Sequence, residues 1–344
     1  MITKLSFPEK KMTDNKKSIM TDNQLINKRI IWAANRFWME TENMKSKRYG
    51  GKSHHHWYLL LLMMKLFKAL LHLIGRYKDG FNNAENIVLR ELDLRFPDLP
   101  QKFESFTILH LSDLHFGCIP GLEDIILKQL NNREVDICVI TGDYLNGLHV
   151  PINNAIESLR TITKGIRTRH GFLGILGNHD TCHMVTPMES LGIRMLINEN
   201  FRLHKEGDCI QFIGIDDVHY YYTDQAMHAM ENAGSDFSIA LVHSPELFDM
   251  AEEMGVDLYL CGHTHGGQVC MPGGTPVITH LNRGKDFHSG YWRYRNLQGV
   301  TSCGVGTSGV PVRFNTQGEL SILKLHRCET GEGQGKGINP GISL

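Results

Sequence analysis

The chain has 344 residues with 41% hydrophobic content, enough to bury a full α/β core in one large domain with appendages. Lys and Arg number 36 against 37 Asp and Glu, a formal charge of −1, so nothing overall points to a nucleic-acid partner. The eight cysteines form no Cys-x-x-Cys pair, and Cys138 and Cys261 sit in apolar runs, which suits reduced, buried thiols better than a disulfide framework.

Residues 1–56 open with a polar, Lys- and Asn-rich segment, hold one apolar patch (Ile30, Ile31, Trp32, Phe37, Trp38), and end in a glycine pair and the run His54, His55, His56. They read as a poorly ordered extension, and the histidine run, lacking spaced partners, reads as solvated linker. No apolar stretch with a small-residue cleavage site follows the basic start, so a secretory signal is not expected. Residues 57–78 are different. Lys65, Lys68, His72 and Arg76 recur at helical spacing, while Leu59, Met63, Leu66, Phe67, Leu70 and Ile74 cover another side. Each charge at the middle of a membrane span would cost about 2.5–3.5 kcal/mol, which an interfacial helix avoids. Eight basic residues and no acidic ones lie between Asn43 and Lys78, so this segment is expected to be a basic amphipathic helix on an anionic leaflet. The alternative is a helix packed on the domain that follows.

From Ile87 to Phe96 the apolar residues alternate as in a strand, and Pro97 and Pro100 end the pattern. A domain spanning 87–326 follows. Its recurring unit is a short apolar strand, a glycine or polar turn, one or two residues able to bind metal, then a helix. Phe106–Leu111 leads to Asp113 and His115, an oxygen and an imidazole two residues apart. Val135–Ile140 leads through Gly142 to Asp143, whose two carboxylate oxygens suit a bridge between two ions. Pro151 at a first helical position opens an amphipathic helix from Ile152 to Lys164. Gly171–Leu176 then delivers Asn178, a neutral amide oxygen for a hard cation, beside His179 and Asp180; the last of these is placed to orient or polarise the imidazole. Thr186-Pro187-Met188-Glu189 has the form of a helix-capping box.

After two alternating strands, Phe201–His204 and Cys209–Ile215, Phe237–Val242 delivers His243. Finally Val256–Cys261 runs into Gly262 and the pair His263 and His265, which can point in different directions from one loop. Five strand ends thus supply seven metal-capable residues: Asp113, His115, Asp143, Asn178, His243, His263 and His265. Mixed oxygen and nitrogen donors without cysteine suit two borderline or hard divalent ions such as Mn, Fe, Zn or Mg, and argue against a structural zinc site.

The ordered series Asp113-x-His115, Gly142-Asp143, Gly177-Asn178-His179-Asp180, His243 and Gly262-His263-Thr264-His265 resembles the five motifs of the calcineurin-like metallophosphoesterase superfamily, over about residues 87 to 325. The resemblance implies a four-layer α/β sandwich of two mixed β-sheets flanked by helices. It implies Asp113, His115 and His265 on one ion, Asn178, His243 and His263 on the other, and Asp143 between them. His179 is implied to protonate the leaving group or steady its charge, with Asp180 beside it as a second catalytic residue. Two divalent ions, manganese foremost, would activate water for in-line attack on phosphorus.

The run after Asp143 departs from the Gly-Asp-x-Val-Asp-Arg-Gly pattern of the protein serine/threonine phosphatases. Gly262–Gln268 and Gly304–Phe314 are similar instead to bacterial membrane-associated phosphoesterases, which include UDP-2,3-diacylglucosamine pyrophosphatases of lipid A synthesis. The resemblance therefore implies a phosphodiester or pyrophosphate substrate, lipid-linked, at the cytoplasmic face of a bacterial inner membrane, with no nucleic-acid partner. A soluble broad-specificity or cyclic-nucleotide phosphodiesterase is the alternative. A non-catalytic scaffold is disfavoured, because it has no need of the whole set. Arg283, Lys285 and Arg313 are expected to be solvated loop cations, and the Gly-rich tail 327–344 to be disordered.

Overall fold

The structure, a computed structural model, describes residues 22–49, 52–148, 150–231 and 236–328. The first 21 residues and the expected tail, apart from its first two residues, lie outside them. The chain begins with three helices, α1 (Asp22–Tyr49), α2 (Lys52–Leu73) and α3 (Tyr77–Glu85). The segment read as a loose extension thus contains a 28-residue helix. Its sequence showed no apolar stripe at helical spacing because the residues it buries are Trp32, Arg36 and Glu40, two of them charged. The side chains of the triple histidine, at the start of α2, lie outside the described residues.

Strands β1 (Val88–Phe96) and β2 (Phe106–Leu111) follow, then α4 (Leu122–Leu130), β3 (Glu134–Val135) and β4 (Ile137–Ile140). The single strand expected over 135–140 breaks at Asp136, whose carboxylate accepts from the Thr107 amide (2.8 Å) and hydroxyl (2.7 Å). Next come α5 (Ile152–Gly165), β5 (Arg167–Thr168), β6 (Phe172–Gly174), α6 (Val185–Ser190), β7 (Ile193–Met195), β8 (Glu199–Lys205) and β9 (Asp208–Gly214). Pro151 caps α5 from one position further out than expected. The expected capping box lies inside α6, and the capping side chain is Thr181, at the 3-10 turn Cys182–Met184 that precedes it. The chain ends with α7 (Asp224–Glu231), β10 (Phe237–Leu241), α8 (Phe248–Glu253), β11 (Leu258–Cys261), β12 (Gly290–Tyr294), β13 (Leu297–Thr301) and β14 (Glu319–Arg327).

Two six-stranded mixed sheets result, ordered β1-β14-β2-β4-β6-β7 and β12-β13-β11-β10-β9-β8. Their strands alternate apolar residues between two cores, as a sheet covered on both faces requires. Ile108, Ile137 and Val139 of the first sheet meet Phe212, Ile239, Leu241 and Leu260 of the second. The neighbours Leu109, Cys138 and Ile140 face outward onto α4, α5 and α6 through Ile126, Leu159 and Met188. Ala240 and Tyr259 face outward onto α7 and α8 through Ala226, Met230 and Ala251. Helix, sheet, sheet, helix: this is the four-layer sandwich expected. In both sheets the parallel strands β2, β4, β6 and β10, β11 end on the same side, and the polar loops collect there.

Candidate metal centre

Glycine lets the strand ends close on one another. A Cβ on Gly262 would lie 2.2 Å from Asp113 Oδ2, and one on Gly177 would lie 2.2 Å from Asp143 Oδ1. The loops of the two sheets therefore meet without intervening side chains.

Five of the seven expected ligands hold left-handed backbone that side chains rarely adopt: Asp113 (φ 53°), His115 (φ 39°), Asp143 (φ 58°), His263 (φ 72°) and His265 (φ 53°). Each such residue costs on the order of 1–3 kcal/mol and persists where the surroundings over-determine it. Strain at five convergent positions aims side chains at a common point.

Those side chains form two buried groups, Asp113 with His115 and His265, and Asp143 with His243 and His263. In the first, the Nε2 atoms of His115 and His265 lie 3.1 Å apart, and His265 Nε2 is 3.5 Å from Asp113 Oδ1. In the second, Asn178 Oδ1 is 2.9 Å from His263 Nδ1 and 3.1 Å from His243 Nε2. Asp143 joins the groups, with Oδ2 at 3.5 Å from His115 Nε2 and 3.3 Å from His243 Nε2. Its other oxygen accepts the His179 amide at 2.9 Å. His115 donates its Nδ1–H to Leu145 O and His243 to Thr141 O, both at 2.7 Å, which turns each Nε2 toward the centre. Ring nitrogens and carboxylates facing one another at these distances fit cations between them.

The electrostatics agree. Burial pushes His115 down to about 4, and His263 and His265 well below their usual value, so all three are neutral donors at pH 7. Burial also opposes protonation of His243, but the charge of Asp143 beside it prevails and its pKa rises to about 10. Burial, reinforced by Asp143, raises Asp113 to about 6. Without ions, then, His243 carries a proton that an ion bound by Asn178, His243 and His263 must displace. Affinity for Mn is therefore expected to rise with pH, up to about tenfold per unit through neutrality, with about one proton released per ion at this position. Calorimetry in buffers of different ionisation enthalpy measures that release, and its absence would show that His243 is neutral before loading.

His179 is half-buried beside the first group, its ring 5.1 Å from that of His115. Asp180 does not orient it. Its carboxylate is buried and accepts four backbone N–H groups, those of Asp143, Tyr144 and Gly177 at 2.8 Å and Leu145 at 3.1 Å. It staples the Asn178 loop to the Asp143 loop. Arg313, expected to be solvated, is fully buried and donates to the carbonyls of His265, Cys303, Gly304 and Gly306. Arg283 is exposed and paired with Asp249, and Lys285 is exposed.

Sequence reasoning missed two contributors. His219 follows β9, stands 5.0 Å from the His263 ring, and is held by Glu246 at 3.1 Å. Asp216, buried at the same strand end, accepts from α1. The polar run Asp216-Asp217-Val218-His219 after an apolar strand was the available signal, since it repeats the pattern of the other five strand ends.

The model of the calcineurin-like phosphoesterase family matches residues 106–267, which contain all seven of these residues. The metallophosphoesterase YkuE of Bacillus subtilis is 27% identical over 235 residues, 66% of this chain and 81% of that protein. The bovine transmembrane protein with metallophosphoesterase domain is 28% identical over 267 residues, 71% of this chain, which spans 58% of that longer protein. Among solved structures, the NAD nucleotidase of Haemophilus influenzae is similar with a TM-score of 0.39 at 14% identity, over 58% of this chain and 45% of that one. Residues 106–267 are a calcineurin-like phosphoesterase domain, and it is this part of the chain that supports a metal-dependent phosphoesterase.

Proposed function

We propose that the protein hydrolyses a phosphodiester or pyrophosphate bond in a lipid-linked substrate, UDP-2,3-diacylglucosamine being the first to test, while seated on the cytoplasmic face of a bacterial inner membrane. In this reading residues 87–326 are the catalytic unit, and the membrane-surface helix expected over 57–78 is α2, which ends at Leu73 before a turn leads into α3. Asp113, His115 and His265 hold one divalent ion, Asn178, His243 and His263 the other, and Asp143 touches both. The ions, manganese foremost, supply an activated water and neutralise phosphoryl oxygens. Asn178 Oδ1, fixed between two histidines, keeps its amide N–H₂ free to turn toward a phosphoryl oxygen. His179, half-buried beside the first group, would hand a proton to the departing oxygen.

The observation that carries the membrane reading is the division of α2 into stripes. Met64, Phe67 and Leu71 pack on Val310 and Val312, so the helix is docked. Leu59, Leu62, Met63, Leu66, Leu70 and Leu73 stay exposed, Leu73 at 84%, with Lys65, Lys68 and Arg76 exposed on the same helix and turn. Apolar side chains left in water beside cations, with no carboxylate from Asn43 to Lys78, are complementary to an anionic bilayer. Among the described residues no helix is long and apolar enough to cross a membrane.

Two measurements test this. With Mn supplied, UDP-2,3-diacylglucosamine should be turned over faster than bis-p-nitrophenyl phosphate or a cyclic nucleotide; the reverse order would overturn the lipid-linked substrate. Cosedimentation with phosphatidylglycerol vesicles at low salt should fall about tenfold or more in a Leu66→Asp, Leu70→Asp double variant. Equal binding by both proteins would remove α2 as the contact.

A further inference from the structure

Arg36 lies on α1, outside the family domain, yet its side chain is 0% exposed. Every arm of its guanidinium is used. Nε donates to Glu40 Oε1 at 3.0 Å, Nη1 to Asp216 Oδ1 at 2.7 Å, and Nη2 to the carbonyls of Gly177 and Asp180, both at 3.0 Å. Its plane stacks 3.5 Å from the centre of the Tyr221 ring. Trp32, one turn earlier, donates to the second oxygen of Asp216 at 2.7 Å. Glu40, one turn later, accepts from the Thr181 hydroxyl and the Cys182 amide, both at 2.8 Å. One face of one helix therefore grips residues 177–182 and Asp216.

The two carbonyls that Arg36 binds bracket Asn178 and His179 in sequence. A planar fork that satisfies both at once fixes the loop's position and its rotation, which a point charge does not. Burying this ion cluster is a poor route to stability alone, because desolvation of the charges offsets most of their attraction. What such a cluster supplies is geometry. We infer that Arg36 is a positioning residue of the catalytic centre, holding Asn178 and His179 in register with the two metal-binding groups, and that α1 is part of the working enzyme. The inference rests on the roles given above to Asn178 and His179.

The test uses full-length protein. Arg36→Lys keeps a charge for Asp216 but cannot make the remaining bonds. With bis-p-nitrophenyl phosphate and Mn, kcat should fall about 100-fold with KM changed less than about threefold and Mn content unchanged. Hydrogen exchange should rise in 177–183 and 216–221 while β2, β4, β10 and β11 stay protected. Arg29→Met is the comparator. It removes the bonds from α1 to Glu189, Glu199 and Met195 O, away from this loop, so it should lower the melting temperature while kcat stays within about twofold. Equal losses of kcat per degree of melting temperature in the two variants would reduce Arg36 to a docking contact and overturn the inference. So would an Arg36→Lys protein with unchanged kcat and unchanged exchange. Should that variant fail to fold, Glu40→Gln, of nearly the same shape, should give about a tenfold fall in kcat and the same local exchange; no change in either would overturn the inference too. If wild-type protein hydrolyses no phosphodiester, the catalytic reading fails by itself, and the exchange pattern alone then decides whether Arg36 fixes the loop.

Discussion

Asp143→Ala is expected to abolish turnover of every phosphodiester tested, with kcat down at least about 10³-fold, equivalent to about 4 kcal/mol of barrier. Among the described residues the Asp143 carboxylate stands between the two metal-binding groups, within 3.5 Å of His115 and 3.3 Å of His243. Alanine leaves each group short of a ligand and leaves nothing to fix their separation. The fold should tolerate the change. Asp143 is a buried carboxylate, and although His243 holds it well below the usual carboxylate range, its desolvation opposes that gain. The metal-free variant should melt within a few degrees of the metal-free wild type, while the large upward shift that Mn gives the wild type should shrink. Near-wild-type activity with Mn would contradict the two-ion assignment outright.

The second large effect falls on a residue that touches no ion. Asp180→Asn replaces one acceptor oxygen by an N–H₂ group facing two buried amides, either those of Asp143 and Gly177 or those of Tyr144 and Leu145. An unsatisfied buried donor costs about 1–3 kcal/mol, so the expected loss is about 2–6 kcal/mol, or roughly 5–15 °C in melting temperature. Activity should fall with it, because the same four bonds set the distance between Asn178 and Asp143. A direct partner of His179 would act in the opposite way, lowering kcat at unchanged stability. Thermal melts and kcat measured on one preparation separate the two roles.

The residues of the candidate metal centre were legible because each follows an apolar run that ends in glycine or a small polar residue, and the sheet brings such ends together whatever lies between them. Asp180 was misread for a related reason. Adjacency to His179 in sequence suggested contact, but successive side chains in a tight loop diverge, and its partners are backbone amides, three from another strand's loop and one from Gly177. Helix α1 was missed because its buried face is Trp32, Arg36 and Glu40. Hydrophobic periodicity cannot register a face whose partners are the carbonyls and carboxylates of loops 141 and 180 residues away, at Gly177 and Asp216. Arg313 was misjudged likewise: it donates to backbone carbonyls inside the domain, and carbonyls leave no mark on composition. Strands β12, β13 and β14 went unremarked because the metal-capable residues lie ahead of them.

The place of β14 in the first sheet bears on how the protein is made. It lies between β1 and β2, parallel to one and antiparallel to the other, so residues 319–327 separate strands that are made more than 200 residues earlier. On the ribosome β1 and β2 emerge early and wait, each with an open hydrogen-bonding edge, until residues 319–327 have left the exit tunnel. At 5–20 residues per second that wait is on the order of ten seconds or more. A chain that stops before residue 319 therefore lacks the strand that joins β1 to β2, and its first sheet cannot close.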